Sequence, residues 1–264
     1  MMDSFFRWLA SHNKALRTAL ALLLGGGLGI LRIRTDMPLI LLIALILWGA
    51  ILVSYVAIYP LIRLQKRAMT VFTDQCDPYP FLQEMQTQVS YKLPEALHTV
   101  LRTDLAMALY NTGSLQTALN VMANIPIEGK KRVNPLHKAV YYNNLSFFRM
   151  EAGDYSASEE AYRRFLELVN AKSAKAMRKR LADTIAMGEV EHLYRIGDYA
   201  AAFEKVQRIH PPKLASQVET ALIRAKCAIG LGNLDHARDS LHFVAQKGNK
   251  LFAVTKAREL LKEL

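Results

Sequence analysis

The apolar pattern of this chain changes once, from unbroken runs near the N-terminus to a helical alternation of polar and apolar positions. Residues 37–62 are 26 consecutive positions without a charge. A helix rises about 1.5 Å per residue and crosses a bilayer core in about 20 residues. The run therefore predicts a membrane-spanning helix. Charged residues frame it (Arg32, Arg34, Asp36 before; Arg63, Lys66, Arg67 after), and Trp48, Tyr55 and Tyr59 carry rings suited to a membrane interface. A buried helix of a water-soluble core is shorter and keeps a polar face.

Upstream, residues 15–33 make a second stretch of 19, with Arg17 and Arg32 near its ends, where long side chains can reach polar surroundings. Gly25 and Gly29 form a close-approach pair, matched by Ala50 and Ser54 on the second run. We expect a helical hairpin of about 15–33 and 37–62, turned at residues 32–36, with Pro38 in the first helical turn; the alternative is a re-entrant or interfacial first segment, since only 14 of its residues, 18–31, run without a charge. Arg-Ile-Arg follows the first run in place of a small-residue cleavage motif, which favours an uncleaved anchor. The basic residues flanking the hairpin outnumber those in its turn, so the positive-inside rule places both ends on the cytoplasmic side of a cell membrane.

Residues 1–67 are the membrane anchor in this reading, and residues 68–94 a connector. Asp77-Pro78-Tyr79-Pro80 and Pro94 punctuate that connector, leaving room for a short helix near 81–89. Residues 95–264 then read as helix throughout and are long enough to bury one core. Four junctions in it look alike. They begin at Gly113, Gly153, Gly197 and Gly232, each followed by a small polar residue (Ser114, Asp154, Asp198, Asn233) and then by Leu or Tyr. Five positions after each glycine stands a small residue: Ala118, Ser158, Ala202 and Ala237. Seven positions before each stand Ala106, Ser146, Val190 and Ala225. Glycine accepts the left-handed conformation that ends a helix, and the polar residue caps the next one. Leu or Tyr is expected to plug the corner, while the small residues let two antiparallel helices close.

These residues resemble the tetratricopeptide repeat (TPR) family, whose unit is a helix–turn–helix of about 34 residues. The resemblance covers about residues 96–247. The glycines here are 40, 44 and 35 residues apart, with basic insertions at 130–132 and 172–180, and the family's usual Trp is missing. The implied fold is all-α: a transmembrane hairpin, then a TPR-like α-solenoid of about four units with residues 250–264 as a capping helix. The resemblance also implies a concave groove built from the first helix of each unit. In that register Tyr110, Asn143, Asn144, Phe147, Tyr194 and Lys226 face the groove, although Phe147 equally suits packing between repeats. Asn144 matches one position of the carboxylate clamp of some family members, but Thr103 and Met107 stand where that clamp needs Lys and Asn.

Charge adds little beyond the membrane. The chain carries 34 basic and 23 acidic residues, net +11, and residues 1–67 hold eight of the basic and two of the acidic ones. Each basic residue beside an anionic leaflet contributes about 1 kcal/mol of attraction. The run Lys172, Lys175, Arg178, Lys179 and Arg180 has no interleaved aromatics to stack bases, so a solvated basic surface is favoured over RNA contact. Cys76 and Cys227 are 151 residues apart with no ligand cluster. Glu189/His192 lacks the second copy that a di-metal site needs, and Asp235, Asp239 and His242 read as a solvated face. No phosphate-binding glycine loop, nucleophile elbow or zincin motif occurs. The expectation is a membrane-anchored scaffold that binds a protein or peptide partner, with no catalysis, cofactor, metal or small-molecule substrate. The alternatives are a membrane-associated RNA-binding protein using residues 172–180, or an enzyme whose site the sequence conceals.

Overall fold

The computed structural model describes residues 2–35, 38–128 and 133–264. The described residues form fourteen α-helices and one 3-10 turn, with no strand among them. Asp36, at the expected hairpin turn, and the basic insertion at 130–132 lie outside the described residues.

A short amphipathic helix, α1 (Met2–Ser11), comes first, followed by α2 (Asn13–Thr35) and α3 (Leu39–Gln75). Both α2 and α3 are long and apolar enough to cross a membrane, and their apolar windows bury almost nothing inside the protein. Leu22, Leu23, Ile33, Ile40, Trp48 and Leu52 stand open. Contiguous apolar surface of this extent is unfavourable in water. The two helices pack together, but not through the expected small-residue pairs. Leu24 occupies the space where Gly49 lacks a side chain, whereas nothing approaches Gly25 or Gly29 within 4 Å. Helix α1 folds back along α3: Phe6 meets Tyr59, Arg63 sits 4.6 Å over the Phe6 ring, and the Asn13 amide donates to the Ala57 carbonyl.

The connector expected at 68–94 is instead built into the fold. Helix α3 runs unbroken to Gln75 and ends at Cys76, which adopts the left-handed conformation (φ 54°) ahead of Asp77-Pro78. Helix α4 (Tyr79–Val89) follows, and Phe72 of α3 stacks on its Phe81. Arg7 of α1 reaches Glu84 of α4 at 3.0 Å, so the N-terminus lies on the same side of the apolar helices as the rest of the chain.

Four helix pairs come next: α5 (Glu95–Asn111) with α6 (Leu115–Ala123), and α7 (Pro135–Glu151) with α8 (Tyr155–Asn170). After the turn Lys172–Ala174 and the short α9 (Lys175–Arg180) come α10 (Ala182–Arg195) with α11 (Tyr199–Gln207), and α12 (Leu214–Gly230) with α13 (Leu234–Lys247). Helix α14 (Phe252–Glu263) closes the chain.

The four junctions share one backbone solution. Gly113, Gly153, Gly197 and Gly232 have φ between 70° and 90°, and the N–H of the residue after each donates to the carbonyl five positions back. Asp154, Asp198 and Asn233 cap the following helix with their side chains; Ser114 does not. All eight flanking small residues are buried, and Ser146 and Ser158 bond across the α7–α8 contact. The corner residue packs inward at two junctions only, and Leu115 at the first lies against the core. Tyr155 and Leu234 are exposed, while Tyr199 packs against Gly230 and the Tyr194 ring.

The ends of the helical array meet. Helix α12 packs on α3, and α14 on α5. One continuous core joins Phe72, Phe81, Leu101 and Ala108 to Val218, Leu222, Leu241 and Leu251. Polar contacts mark the same seam: Lys213 with Asp74 at 2.9 Å, Lys250 with Asp77 at 2.6 Å, and the Lys250 N–H with the Cys76 carbonyl.

Candidate functional site

Because the ends meet, the inner helices α5, α7, α10 and α12 surround a cavity of about 440 Å³. These are the first helices of the four pairs. Counted back from each junction glycine, the sixth position lines the cavity in every pair: Met107, Phe147, Glu191 and Lys226. Five of the six residues expected to face a groove line it, namely Tyr110, Asn143, Asn144, Phe147 and Lys226. Tyr194 does not. It lies three positions before its glycine, where α10 has already turned its side chain against Tyr199, 5.4 Å between ring centroids. Of the two clamp positions, Met107 lines the cavity, while buried Thr103 bonds the Thr99 carbonyl of its own helix.

The chemistry of the cavity is set by residues the sequence reading passed over. Glu151 accepts from Lys226 at 2.8 Å and also from Lys256 of α14, which touches the Tyr110 hydroxyl at 3.2 Å. Burial opposes ionisation of Glu151, but the two ammonium groups more than offset it and hold its carboxyl below the ordinary value. Two further acids face the cavity without a hydrogen bond or ion pair, Glu191 of α10 and Glu219 of α12. Burial first, then the charge of Glu151, pushes Glu191 up to about 8 and Glu219 up to about 7. Arg195, one turn from Glu191, is committed to Glu159 at 2.7 Å and Ser158 at 2.9 Å. Asn143 and Asn144 line the cavity beside them, and the buried Thr220 hydroxyl has no partner among the described residues. Tyr110, Val140, Phe147, Met187, Leu222 and Ile223 supply the apolar wall. A repeat register counted from the glycines would have found Glu191, which shares its position with Phe147 and Lys226. Lys256 carries no such signal, because no junction glycine follows α14.

The other sequence candidates scatter. Lys172, Lys175, Lys179 and Arg180 are exposed on the turn and α9, while Arg178 donates to the Val169 and Ala171 carbonyls that end α8. Glu189 pairs with Lys205, His192 with Glu159 at 3.1 Å, and Asp235 with Arg238 at 3.5 Å. Among the described residues no group of His, Cys, Asp and Glu is arranged to hold a metal ion. Cys76 and Cys227 are free and buried. Comparison with protein-family models, with curated proteins and with solved structures finds no match.

Proposed function

We propose that this protein is a membrane-anchored, TPR-like scaffold that binds a segment of a partner protein in the cavity between α5, α7, α10 and α12, without catalysis. In this reading α2 and α3 are a transmembrane hairpin in the cell membrane, and the helical pairs are repeat units on its cytoplasmic side. One observation carries the proposal: the first helices of four look-alike pairs converge on a cavity lined by Asn143, Asn144, Glu191 and Glu219, where the buried Thr220 hydroxyl has no hydrogen-bond partner among the described residues. A buried polar group without a partner costs about 1–3 kcal/mol, so a ligand that satisfies it gains that much.

The test is affinity capture from detergent-solubilised membranes with the full chain and with an Asn143→Ala/Asn144→Ala/Phe147→Ala variant. A specific protein held by the parent and lost by the folded variant supports the proposal. Equal capture by both refutes it. A catalytic reading draws on Glu191 and Glu219, whose buried carboxyls are pushed up to about 8 and about 7 and would suit a general acid at neutral pH. Turnover of a substrate that E191Q abolishes would favour that reading. Salt-sensitive RNA binding lost on neutralising residues 172–180 would favour the third.

A further inference from the structure

We propose that the cavity recognises a basic side chain, an arginine or lysine of the partner polypeptide, whose cationic head is met by Glu191 and Glu219. The inference rests on the scaffold reading and specifies the partner's chemistry.

Charge complementarity is the first argument. The chain as a whole is strongly basic, net +11, yet its cavity is acidic. Glu151, Asp183, Glu191 and Glu219 line it, against Lys213 and Lys226. Lys213 is engaged by Asp74, and Lys226 together with Lys256 is engaged by Glu151. Arg195 is hydrogen-bonded to Glu159 and Ser158, so these cations reach the two acids only through their charge, Arg195 and Lys226 acting on Glu191 and Lys256 on Glu219. An arriving cation finds two carboxyls that no hydrogen bond or ion pair engages directly among the described residues.

Hydrogen-bond polarity is the second, independent argument. Asn144 is only 6% exposed and Thr220 only 2%, and both line the cavity, the Thr220 hydroxyl without a partner among the described residues. Glu191 is 9% exposed in the same position. Once ionised, the two carboxyls only accept, and the Thr220 hydroxyl and the amide oxygens of Asn143 and Asn144 can accept beside them. A guanidinium brings five donors and no acceptor, and an ammonium three. The apolar wall from Tyr110 to Ile223 suits the aliphatic stem behind such a head.

Length favours a chain over a small amine. A second cavity of about 420 Å³, lined by His210, Gln217, Arg224 and Asp239, adjoins the first across Ile209, Pro211 and Thr220. Two adjoining cavities suit an extended chain that leaves one side chain in the first and continues over the second. A free amine would fill the first alone.

The experiment uses the full chain in detergent and four pools of fluorescent random heptapeptides that differ only in a fixed central residue: Arg, Lys, Gln or Glu. Anisotropy is expected to show Arg and Lys pools binding at least about tenfold tighter than Gln and Glu pools, equivalent to about 1.4 kcal/mol. E191Q/E219Q, with folding checked by circular dichroism, is expected to erase that difference. Equal binding of all pools, or an unchanged preference in E191Q/E219Q, overturns the proposal. Spermidine displacing the Arg pool at equal molar affinity overturns the polypeptide occupant. A partner captured through Asn143, Asn144 and Phe147 with no cation preference sinks this inference alone; no capture and no pool binding sinks the scaffold reading too.

Discussion

The Lys226 ammonium lies 2.8 Å from the Glu151 carboxylate, and so joins α12 to α7 across the wall of the cavity. Lys256 approaches the same carboxylate from α14, and all three side chains are largely buried. Removing Glu151 would leave two buried ammonium groups facing one another. Glu151→Ala is therefore expected to lower stability by about 3–5 kcal/mol, read from urea denaturation of the full chain in detergent. Glu151→Gln should cost less, because it keeps the hydrogen-bonding oxygen. Since the carboxyl of Glu151 is held below its ordinary value, its contribution is present above the ordinary carboxylate range and lost as pH falls through the depressed value.

Glu191 and Glu219 act in the opposite sense. An unfolded Glu releases its proton near pH 4.3, whereas these two hold theirs to about 8 and about 7. Between those limits the unfolded chain binds fewer protons, so stability falls as pH rises. The ligand-free protein is expected to melt highest near pH 5–6 and progressively lower toward pH 8.5. E191Q should flatten that slope. A parent melting temperature that rises across the interval would contradict the burial of these acids. Glu151 and Tyr110 bear on the same carboxyls, and the cations Arg195, Lys226 and Lys256 offset the rise only in part.

Binding of a basic peptide should show the reverse pH dependence. The proposed cation needs ionised carboxyls, so affinity should climb from pH 6 to pH 8.5 as Glu191 and Glu219 lose their protons. Peptide titrations at fixed ionic strength test this, and a flat profile would place the cation elsewhere.

The junction glycines make a local prediction. Gly197 has φ +83°, a conformation strained for a residue with a β-carbon, although the space around it is open. Gly197→Val should cost at least about 1–2 kcal/mol through backbone strain alone. Gly197→Asn should cost much less. Equal losses for both would mean that side-chain size, not backbone conformation, governs the site.

The proposed anchor predicts that the full chain stays with membranes through alkaline carbonate washing. It also predicts that tags at residue 2 and residue 264 report the same side, because the Arg7–Glu84 pair holds α1 against the helical array. Release into the supernatant would remove the anchor. Opposite tags would break the hairpin.

Local chemistry along the chain was enough to determine much of this fold. An apolar run of 26 residues has few alternatives to a long exposed helix, and a glycine followed by Asp or Asn dictates how one helix ends and the next begins. The junctions, the buried small residues and the cavity-facing sixth positions all follow from helical periodicity. Tertiary packing decided the rest. Nothing in the local pattern says that α12 and α14 pack back on α3 and α5, because that contact depends on how small rotations accumulate over successive helix pairs. The return of the chain turns an expected open groove into a cavity, draws residues 68–94 into the core, and carries Lys256 to Glu151 across 105 positions. It also buries Glu191 and Glu219 in a place where acids on exposed helix faces would otherwise meet water. Likewise the glycines of α2 predicted a helix contact, but side-chain fit chose Leu24 against Gly49. Sequence spacing reports what can approach; only packing settles what does.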